Sequence, residues 1–523
     1  MTAAHLPHIP ERFNISSYFL DAPAHRWPDR TAIVGEPHPV TYAELATLAN
    51  RFGNALLSLG CERGDRILII LPDSAEFIAA FFGAAKIGAI AVPVNALARS
   101  SDYSHYLSDS AANFVILHSS ALSELAAALG DSSPPVIVLA GDEFADSLGL
   151  HLLKWSELVY STSPQLAAAD TLSTDTAFIL YTSGSGGIPK GAIHQHKDML
   201  VTTHSFACGV LGLREDDITF SVSKLFFAYG LGNGMYFPFS LGAKTLLNPG
   251  RTKVDTVISM VARHRPTVFF SVPTFYAAVL AEAEQNPAVD FSSIRLAVSA
   301  GEILPAEIFK RFRRRFGLEI LDGIGSTEML HMFLSSRPGA ARPGSCGFPT
   351  PGYQARIVDQ HGADLPDGEI GNLWVRGASA FAGYWQKPEL TSLVMRDGWV
   401  ATGDKFIREQ RYYRYCGRSD DMMKVSGMWI SPMEIENALL GHPLVLEAAA
   451  VAHTDANGLT HPVAFVVLRA GTGNPAELHH EISEHAKSRL VPYKCPREIH
   501  ICSELPKTAT GKIQRFKLRS SGS

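Results

Sequence analysis

Short aliphatic runs that alternate with helical patterns are the feature that most constrains how this chain can fold. The run at residues 66–71 (RILIIL) is apolar at nearly every position, as in a parallel strand that is buried on both faces. Asp73 or Ser74 can cap a helix that continues through Ile87, and residues 90–94 (IAVPV) predict the next strand. Comparable runs follow at residues 114–117, 136–139, 177–180, 244–247, 268–270 and 296–298. The alternation predicts an α/β fold built on parallel sheets for most of the chain.

The pattern changes after about residue 340. Residues 354–359 (QARIVD) and 371–376 (GNLWVR) alternate in polarity as antiparallel hairpin strands do. A second change falls near residues 417–421 (GRSDD), after which the predicted strands and helices are shorter. A chain of 523 residues is too long for one compact domain. We therefore expect a large α/β part with a β-rich subdomain, followed by a small α+β domain of about 100 residues.

Charge and composition exclude several classes of function. The chain has 46 basic and 51 acidic residues, which gives a net charge of −5. This balance provides no basic surface for nucleic acid or for an anionic membrane. A hydrophobic fraction of 46% excludes intrinsic disorder, because there is ample apolar surface to bury.

We expect neither an export signal nor a membrane span in this sequence. The N-terminus lacks the basic segment and apolar core of a signal peptide. Residues 67–98 are interrupted by Asp73, Glu76 and Lys86 before they reach the ~20 apolar residues of a membrane span. The six cysteines include no CxxC pair, and we expect most of them to be small core residues in a reducing compartment. We expect a cytoplasmic protein.

A glycine-rich loop at residues 181–191 (YTSGSGGIPKG) is the sharpest local signal of function. It follows a predicted strand, and the segment after it is compatible with a helix. Glycine lets backbone N–H groups approach phosphate oxygens, while the hydroxyls add donors and Lys190 adds charge. No Gly-Lys-Ser/Thr ends the loop, so it is not a Walker A motif. A flexible surface loop is the simpler interpretation, but the preceding strand and the Pro-Lys-Gly ending favour a polyphosphate site.

This loop resembles the phosphate-binding signature of adenylate-forming enzymes, which include acyl- and aryl-CoA ligases, luciferases and adenylation domains. Five further motifs occur in the order typical of the family: residues 299–302 (SAGE), 325–328 (GSTE), 402–404 (TGD), 417–420 (GRSD) and 506–512 (PKTATGK). Residues 224–233 and 322–331 resemble the benzoate:CoA ligase branch. Gly186 stands where the family usually has threonine, and Ile324 where many relatives have an aromatic ring.

The resemblance implies an AMP-forming acid-thiol ligase that uses ATP, Mg²⁺ and coenzyme A. A small aromatic carboxylate attacks the α-phosphate of ATP, and a thiol then attacks the acyl-adenylate. The implied acids are benzoate, 2-aminobenzoate (anthranilate) and hydroxybenzoates. The implied catalytic residues are Lys512, Thr327 and Glu328, with Glu328 also the Mg²⁺ ligand.

The other implied roles fall into four groups. The ATP-binding residues are Thr182, Ser183, Gly184, Ser185, Gly187, Lys190, Gly301, Glu302, Ile303, Asp322, Gly323, Ile324, Gly325, Thr327, Asp404, Arg418 and Lys512. The acid-binding residues are Phe227, Ala228, Tyr229, Ala300, Gly325 and His331. The CoA-binding residues are Lys424, Ser426, Gly427 and Trp429. Asp420 is the hinge between an adenylation domain, residues 1–419, and a mobile C-terminal domain, residues 420–523.

Several alternatives remain open at this stage. A medium- or long-chain fatty acyl-CoA ligase and a stand-alone aryl-acid adenylating enzyme share the same motifs. A regulatory ATP-binding module without chemistry is a further alternative. Residues 224–233 contain no carboxylate for an α-ammonium group, which argues against activation of an amino acid. A homodimer is expected from the family alone.

Overall fold

The computed structural model describes eleven-twelfths of the chain in ten ranges, to which all statements below refer. These are residues 8–35, 38–130, 135–141, 148–183, 188–419, 421–425, 428–454, 460–469, 475–507 and 513–520.

The first sheet has eight strands, six of which run parallel to one another. Strands are numbered along the chain, and their spatial order is β19 (Gly383–Tyr384), β9 (Pro189–Gln195), β8 (Thr176–Ser183), β4 (Ile90–Pro93), β3 (Arg66–Ile70), β5 (Phe114–His118), β6 (Val136–Ala140) and β7 (Leu152–Lys154). The strands β9 and β19 are antiparallel additions at one edge. This edge lies next to the glycine-rich loop.

The second sheet has nine strands and a parallel centre of six. Their spatial order is β16 (Phe348–Pro349), β15 (Met332–Ser335), β14 (Ile320–Gly325), β13 (Leu296–Ser299), β12 (Val268–Ser271), β10 (Ile218–Ser221), β11 (Lys244–Leu246), β1 (Thr31–Val34) and β2 (Val40–Thr41). The predicted parallel α/β fold is thereby confirmed.

Helices connect most of these strands. The α-helices are α1 (Ala22–Arg26), α2 (Tyr42–Ser58), α3 (Ala75–Lys86), α4 (Ser100–Ser110), α5 (Leu122–Leu129), α6 (Trp155–Tyr160), α7 (His196–Thr202), α8 (Ala228–Leu231), α9 (Phe237–Ser240), α10 (Val254–His264), α11 (Pro273–Gln285), α12 (Ala306–Phe316), α13 (Pro388–Val394), α14 (Pro432–Leu440), α15 (Pro475–Arg489) and α16 (Arg515–Ser520). Shorter helical segments are π-helical at Ser17–Asp21, Thr203–Cys208 and Gly232–Tyr236, and 3₁₀ at Ser119–Ala121, Thr327–Met329 and Pro492–Lys494. None of the helices described has the length and apolar character needed to cross a bilayer.

The first βαβ unit shows why the local sequence folds this way. Ser74 caps α3, because its Oγ accepts a hydrogen bond from the backbone N–H of Phe77 at 3.2 Å. Helix α2 begins with a capping box in which Thr41 and Glu44 satisfy each other's backbone N–H groups. Both helices share one continuous apolar core with residues of the two sheets.

The β-rich subdomain is antiparallel, as predicted. Its strands are β17 (Gln354–Val358), β18 (Ile370–Arg376), β20 (Met395–Arg396), β21 (Trp399–Glu409) and β22 (Tyr412–Arg418). The predicted hairpin strands pair with Gln354 opposite Arg376.

The last part of the chain is α+β with a core of its own. A two-stranded ladder, β23 (Met423–Val425) and β24 (Met428–Ile430), precedes a three-stranded sheet of β25 (Val445–Thr454), β26 (Thr460–Leu468) and β27 (Glu498–Cys502). Helix α14 packs on β25 and on α15. Asp420 lies outside the described residues, so the division at that residue stays a prediction.

Candidate active site

Three parallel strands of the second sheet bring the predicted ATP-binding segments to one edge. In β12, β13 and β14, Ser271 pairs with Ser299, and Ser299 pairs with Asp322. The segments 299–303 and 325–328 therefore leave neighbouring strands at their carboxyl ends. This edge is where ligands bind in open α/β sheets.

A tight turn follows β14 and carries two of the predicted functional residues. It consists of the 3₁₀ segment Thr327–Met329 and of Leu330, which has a φ of 66° although it is buried. A Cβ on Gly325 would lie 2.5 Å from the carbonyl oxygen of His331, so only glycine fits there. A non-glycine residue at positive φ costs of order 1–3 kcal/mol and is typical of functional sites. Glu328 and His331 therefore both lie at this turn, where the chain reverses direction.

Glu328 is held by two residues that the sequence did not reveal. Its Oε1 accepts a hydrogen bond from the hydroxyl of Tyr384 at 2.6 Å, and its carbonyl oxygen accepts one from the backbone N–H of Phe381 at 2.7 Å. Burial and the neighbouring Glu328 carboxylate raise the pKa of Tyr384 above its usual value, so the hydroxyl remains a donor. Tyr384 lies in β19, which pairs with the strand after the glycine-rich loop.

The Glu328 carboxylate fits a Mg²⁺ ion shared with substrate phosphates. A carboxylate has two oxygens, and Oε1 is the one bonded to Tyr384. No group of three or more potential metal-ligating side chains occurs in the part of the chain that the structure describes. Mg²⁺ at phosphate-transfer sites typically has one or two carboxylate ligands plus phosphate oxygens.

The glycine-rich loop connects two antiparallel strands. Thr182 in β8 pairs with Lys190 in β9, so the two residues lie opposite each other at the ends of the loop. The Nζ of Lys190 lies 4.9 Å from the centroid of the Tyr384 ring. Before the helix-compatible segment the chain forms one more strand, since residues 189–195 pair with β8 on one side and β19 on the other. Helix α7 begins only at His196.

Asp404 and Arg418 form the pair expected at the ribose. They lie opposite each other in the β21–β22 ladder. The Nη1 of Arg418 donates to Asp404 Oδ1 at 3.2 Å and to the carbonyl of Thr402 at 3.1 Å. Asp404 is buried, and its backbone N–H donates to the Thr402 hydroxyl at 3.1 Å. A carboxylate fixed in this way can accept hydrogen bonds from two hydroxyls.

Each predicted adenine segment packs one isoleucine against an apolar cluster that includes Phe406 of β21 and Tyr415 of β22. Gly301 is exposed, whereas Ile303 and Ile324 are partly buried against one apolar cluster. Asp322 and Gly323 are buried in β14. Burial raises the pKa of the Asp322 carboxyl well above its ordinary value.

An aromatic pocket surrounds His331. Its ring centroid lies 5.1, 5.5 and 4.6 Å from the rings of Phe206, Tyr229 and Phe237. Its Nε2 lies 3.2 Å from Asn233 Oδ1. Burial lowers the pKa of His331 to about 3, so the ring is neutral at physiological pH.

The other predicted acid-binding residues lie on the two elements that carry or contact Tyr229, namely α8 and the end of β13. Phe227 caps the short helix α8, which begins with Ala228 and Tyr229, and Ala300 is buried after β13. A Cβ on Gly232 would approach the His331 ring to 2.7 Å, so glycine is required there. Phe206 and Phe237 were not predicted for this pocket, because single aromatic residues in helices are usually ordinary core.

The predicted CoA-side and hinge residues are described only in part. Lys424 and Trp429 pair in the β23–β24 ladder. The side chains of Lys424, Trp429 and Ser183 lie outside the described part of the chain. So do eight whole residues: Gly184, Ser185, Gly186, Gly187, Asp420, Ser426, Gly427 and Lys512.

The chain just after Lys512 contacts the adenine segment. The backbone N–H of Ile513 donates to Glu302 Oε1 at 3.0 Å. Lys507 and Ile513 form an antiparallel bridge on either side of the undescribed segment 508–512. The C-terminal part of the chain therefore meets the N-terminal part at the proposed ATP site.

Known proteins share both the sequence and the fold. The model of the AMP-binding enzyme family matches residues 20–385, and that of the AMP-binding enzyme C-terminal domain matches residues 434–512. A benzoate–CoA ligase of Thauera aromatica is 43% identical over 98% of this chain and 97% of its own length.

Two solved structures have the same architecture. The anthranilate CoA ligase AuaEII in complex with anthranoyl-AMP superposes with a TM-score of 0.93, at 39% identity over 98% of each chain. A benzoate CoA ligase from Burkholderia xenovorans LB400 has a TM-score of 0.89, at 40% identity over 97% of this chain and 100% of that one. The chain belongs to the AMP-binding enzyme family, in the branch that contains the benzoate–CoA and anthranilate–CoA ligases.

Proposed function

We propose that this protein is an AMP-forming aryl-CoA ligase. In the first step a carboxylate oxygen of an aromatic acid forms a bond to the α-phosphorus of ATP, and the bond to pyrophosphate breaks. In the second step the thiol of CoA bonds to the acyl carbon, loses its proton and displaces AMP. The activities in the names of its relatives, benzoate–CoA ligase and anthranilate CoA ligase, support this proposal.

The observation that carries the proposal is the turn after β14. Glu328 and His331 lie three residues apart, one at the predicted phosphate site and the other in the aromatic pocket. A substrate that contacts both must hold its carboxylate next to the α-phosphate with its ring among aromatic side chains. Such positioning is a principal source of rate enhancement in phosphoryl and nucleotidyl transfer.

The residues would divide the first step among them. Lys190, Thr182 and the adjoining loop would bind the β- and γ-phosphates, while Asp404 and Arg418 would bind the ribose. Glu328 would hold Mg²⁺, which when bound would neutralise phosphate charge. Lys512 would stabilise the negative charge that develops between the carboxylate and the α-phosphate.

The second step would use a rotated C-terminal domain. We infer a hinge at Asp420 between residues 1–419 and 420–523, because two family models match the two parts separately. After rotation, residues 424–429 would face the acyl-adenylate and admit the pantetheine chain of CoA.

The aromatic pocket favours a benzoate-type acid. The only cation of residues 224–233 is Lys224, and its Nζ is bonded to the carbonyl oxygens of Asn248 and Gly250 outside the pocket. The polar atoms of His331 are used within the protein, by Asn233 Oδ1 at 3.2 Å from Nε2 and by the backbone of Tyr229. The pocket therefore offers aromatic faces rather than charge to the ring of the acid.

We also infer that the protein works in a reducing compartment, the cytoplasm. All six cysteines are unpaired, which is the usual state in that compartment. The homodimer expected from the family stays a prediction.

A substrate panel tests the proposed function. The purified chain is incubated with ATP and Mg²⁺ and one of benzoate, anthranilate, the hydroxybenzoates, octanoate or no acid, and pyrophosphate release is measured before and after CoA is added. We expect acid-dependent release with the aromatic acids and thioester only with CoA. Higher kcat/KM for octanoate would indicate a fatty acyl-CoA ligase, release without thioester would indicate a stand-alone adenylating enzyme, and ATP binding without release would indicate a regulatory module.

A further inference from the structure

His194 in β9 reaches from the first sheet to the turn that follows β14 in the second. Its Nε2 lies 2.8 Å from the carbonyl oxygen of Thr327. Its Nδ1 lies 3.0 Å from Oδ2 of Asp198, at the start of α7. The side chains of His194 and Asp198 are completely buried, and the imidazole stacks on Phe178 with 5.1 Å between ring centroids.

The partners of His194 define which of its atoms donate. The Thr327 carbonyl can only accept, so Nε2 must carry a hydrogen. Asp198 also receives the backbone N–H of Gln195 at 2.9 Å and the Nζ of Lys197 at 3.0 Å. Nδ1 faces this carboxylate, so one proton shared between Nδ1 and Oδ2 completes the hydrogen bond. Asp198 therefore fixes the ring, and the ring fixes the Thr327 carbonyl.

Tyr384 holds the next residue of the turn from the same sheet edge. It pairs with Ala192 in β9, two residues before His194, and its hydroxyl donates to Glu328. Thr327 is thus bonded to β9, the strand that carries Lys190, and Glu328 to its neighbour β19, although the turn itself follows a strand of the second sheet. This arrangement sets the position of the Mg²⁺ carboxylate relative to the phosphate-binding lysine.

We propose that His194 is a positioning residue for Mg²⁺–ATP, an inference that rests on the proposed function of Glu328 and Lys190. Its Nε2–H holds the Thr327 carbonyl and so keeps the Glu328 carboxylate at the distance from Lys190 that one Mg²⁺–triphosphate spans. The aromatic pocket and the thioester step do not use this contact. Loss of Nε2–H consequently impairs the use of Mg²⁺–ATP and leaves the second step intact.

Two substitutions separate the two hydrogen bonds of the ring. In His194→Gln the amide nitrogen can occupy the place of Nε2 and donate to Thr327, whereas in His194→Asn it can occupy the place of Nδ1 and donate only to Asp198. His196→Asn is the matched control. His196 is equally buried and two residues away, but its Nδ1 accepts from the backbone N–H of Ile15 at 3.2 Å, on the other side of the strand end.

The experiment measures three quantities for each full-length variant. They are Mg²⁺–ATP affinity by calorimetry without acid, the Mg²⁺ dependence of pyrophosphate release with benzoate or anthranilate, and thioester formation from supplied aroyl-adenylate. For His194→Asn we expect about tenfold weaker Mg²⁺–ATP binding and a similar rise in the Mg²⁺ needed for half-maximal release, as for one lost buried hydrogen bond. Thioester formation should stay within about twofold of wild type, His194→Gln should recover most of the loss, and His196→Asn should bind Mg²⁺–ATP as wild type does.

Three outcomes would overturn the proposal. These are unchanged Mg²⁺–ATP binding in His194→Asn, equal defects in His194→Asn and His194→Gln, and equal losses in both half-reactions. If wild type binds Mg²⁺–ATP and His194→Asn weakens it, but no acid elicits pyrophosphate release, the proposed function fails while the role of His194 stands.

Discussion

His331 shows how burial determines what a single side chain can do in the aromatic pocket. Three aromatic rings and the close backbone of Gly232 exclude water from it. Its pKa of about 3 means that it contributes hydrogen bonding and shape, but no charge, at the pH of the cell. The anionic carboxylate of the substrate must therefore be neutralised by other groups, for which Lys512 is the proposed one.

Replacing His331 should change how stability depends on pH. The unfolded chain takes up a proton on this histidine below pH ~6.5, whereas the folded chain does so only near pH 3, so folding loses stability as the pH falls through this interval. We expect His331→Phe, which is similar in shape, to have a melting temperature that falls less steeply between pH 6.5 and pH 4.5 than that of wild type. Thermal melts at several pH values measure this, and parallel curves for the two proteins would contradict it.

Two ion pairs tie down the ends of the segment that carries Lys512. On the N-terminal side, Lys507 Nζ lies 2.6 Å from Glu447 in β25. On the C-terminal side, Arg515 at the start of α16 makes a two-oxygen contact with Glu436 in α14, at 2.8 and 2.9 Å. Glu436 also accepts the backbone N–H of Ala450, and its side chain is buried, while that of Arg515 is 20% exposed. These pairs connect α14, β25 and α16 beside the segment that carries Lys512.

The two ion pairs should differ in their importance. Removing one partner of a buried pair leaves an uncompensated charge and costs about 3–5 kcal/mol, whereas a partly exposed pair contributes about 1 kcal/mol or less. We expect Glu436→Gln to destabilise the protein strongly and Glu447→Gln only slightly, as measured by denaturant unfolding. The double variant Glu436→Leu, Arg515→Met should recover much of the stability, because no lone charge remains.

Pyrophosphate release then shows whether these pairs also serve catalysis. Both single variants should lose more activity in adenylation than in thioester formation from supplied aroyl-adenylate. Lys512→Ala should lose adenylation by orders of magnitude while it keeps thioester formation. An equal loss of both half-reactions in Lys512→Ala would contradict the proposed catalytic role of that lysine.

At the scale of the whole molecule, contacts between the N-terminal and C-terminal parts of the chain hold the two parts in one relative orientation. Arg469 after β26 lies 3.1 Å from Glu284 in α11, and Glu284 also pairs with Arg311 in α12. Together with the contact of Ile513 to Glu302, this ion pair holds the C-terminal part against the proposed ATP site. The rotation proposed for the second step would break both contacts, so we expect them to favour adenylation over thioester formation.

Removing this ion pair should shift the balance between the two half-reactions. Its side chains are partly exposed, so the pair contributes no more than about 1 kcal/mol and the shift should not exceed about fivefold. We expect Arg469→Ala to slow pyrophosphate release while thioester formation is unchanged or faster, in single-turnover measurements of each step. Arg408→Ala, which removes a surface pair with Asp367 inside one subdomain, is the control, and identical behaviour of the two variants would contradict the prediction.

The sequence alone determined the α/β architecture, the β-rich insertion and the motifs of the proposed ATP site. Buried strands, helix caps and glycine-rich turns depend on residues that are close in sequence, so their patterns can be recognised from the sequence alone. The extra strand after the glycine-rich loop escaped prediction, because residues 189–195 become a strand only by pairing with partners on both sides.

Only the tertiary structure decided which residues support the motifs. Tyr384 is 56 positions from Glu328, and His194 is 133 positions from Thr327. Neither contact produces a recognisable pattern in the sequence, because such contacts depend on which strands pair and on how the two sheets pack together. The same holds for Phe206 and Phe237, whose place around His331 follows from the packing of helices that look like ordinary core. The chemistry of the motifs is local, whereas their placement results from long-range packing.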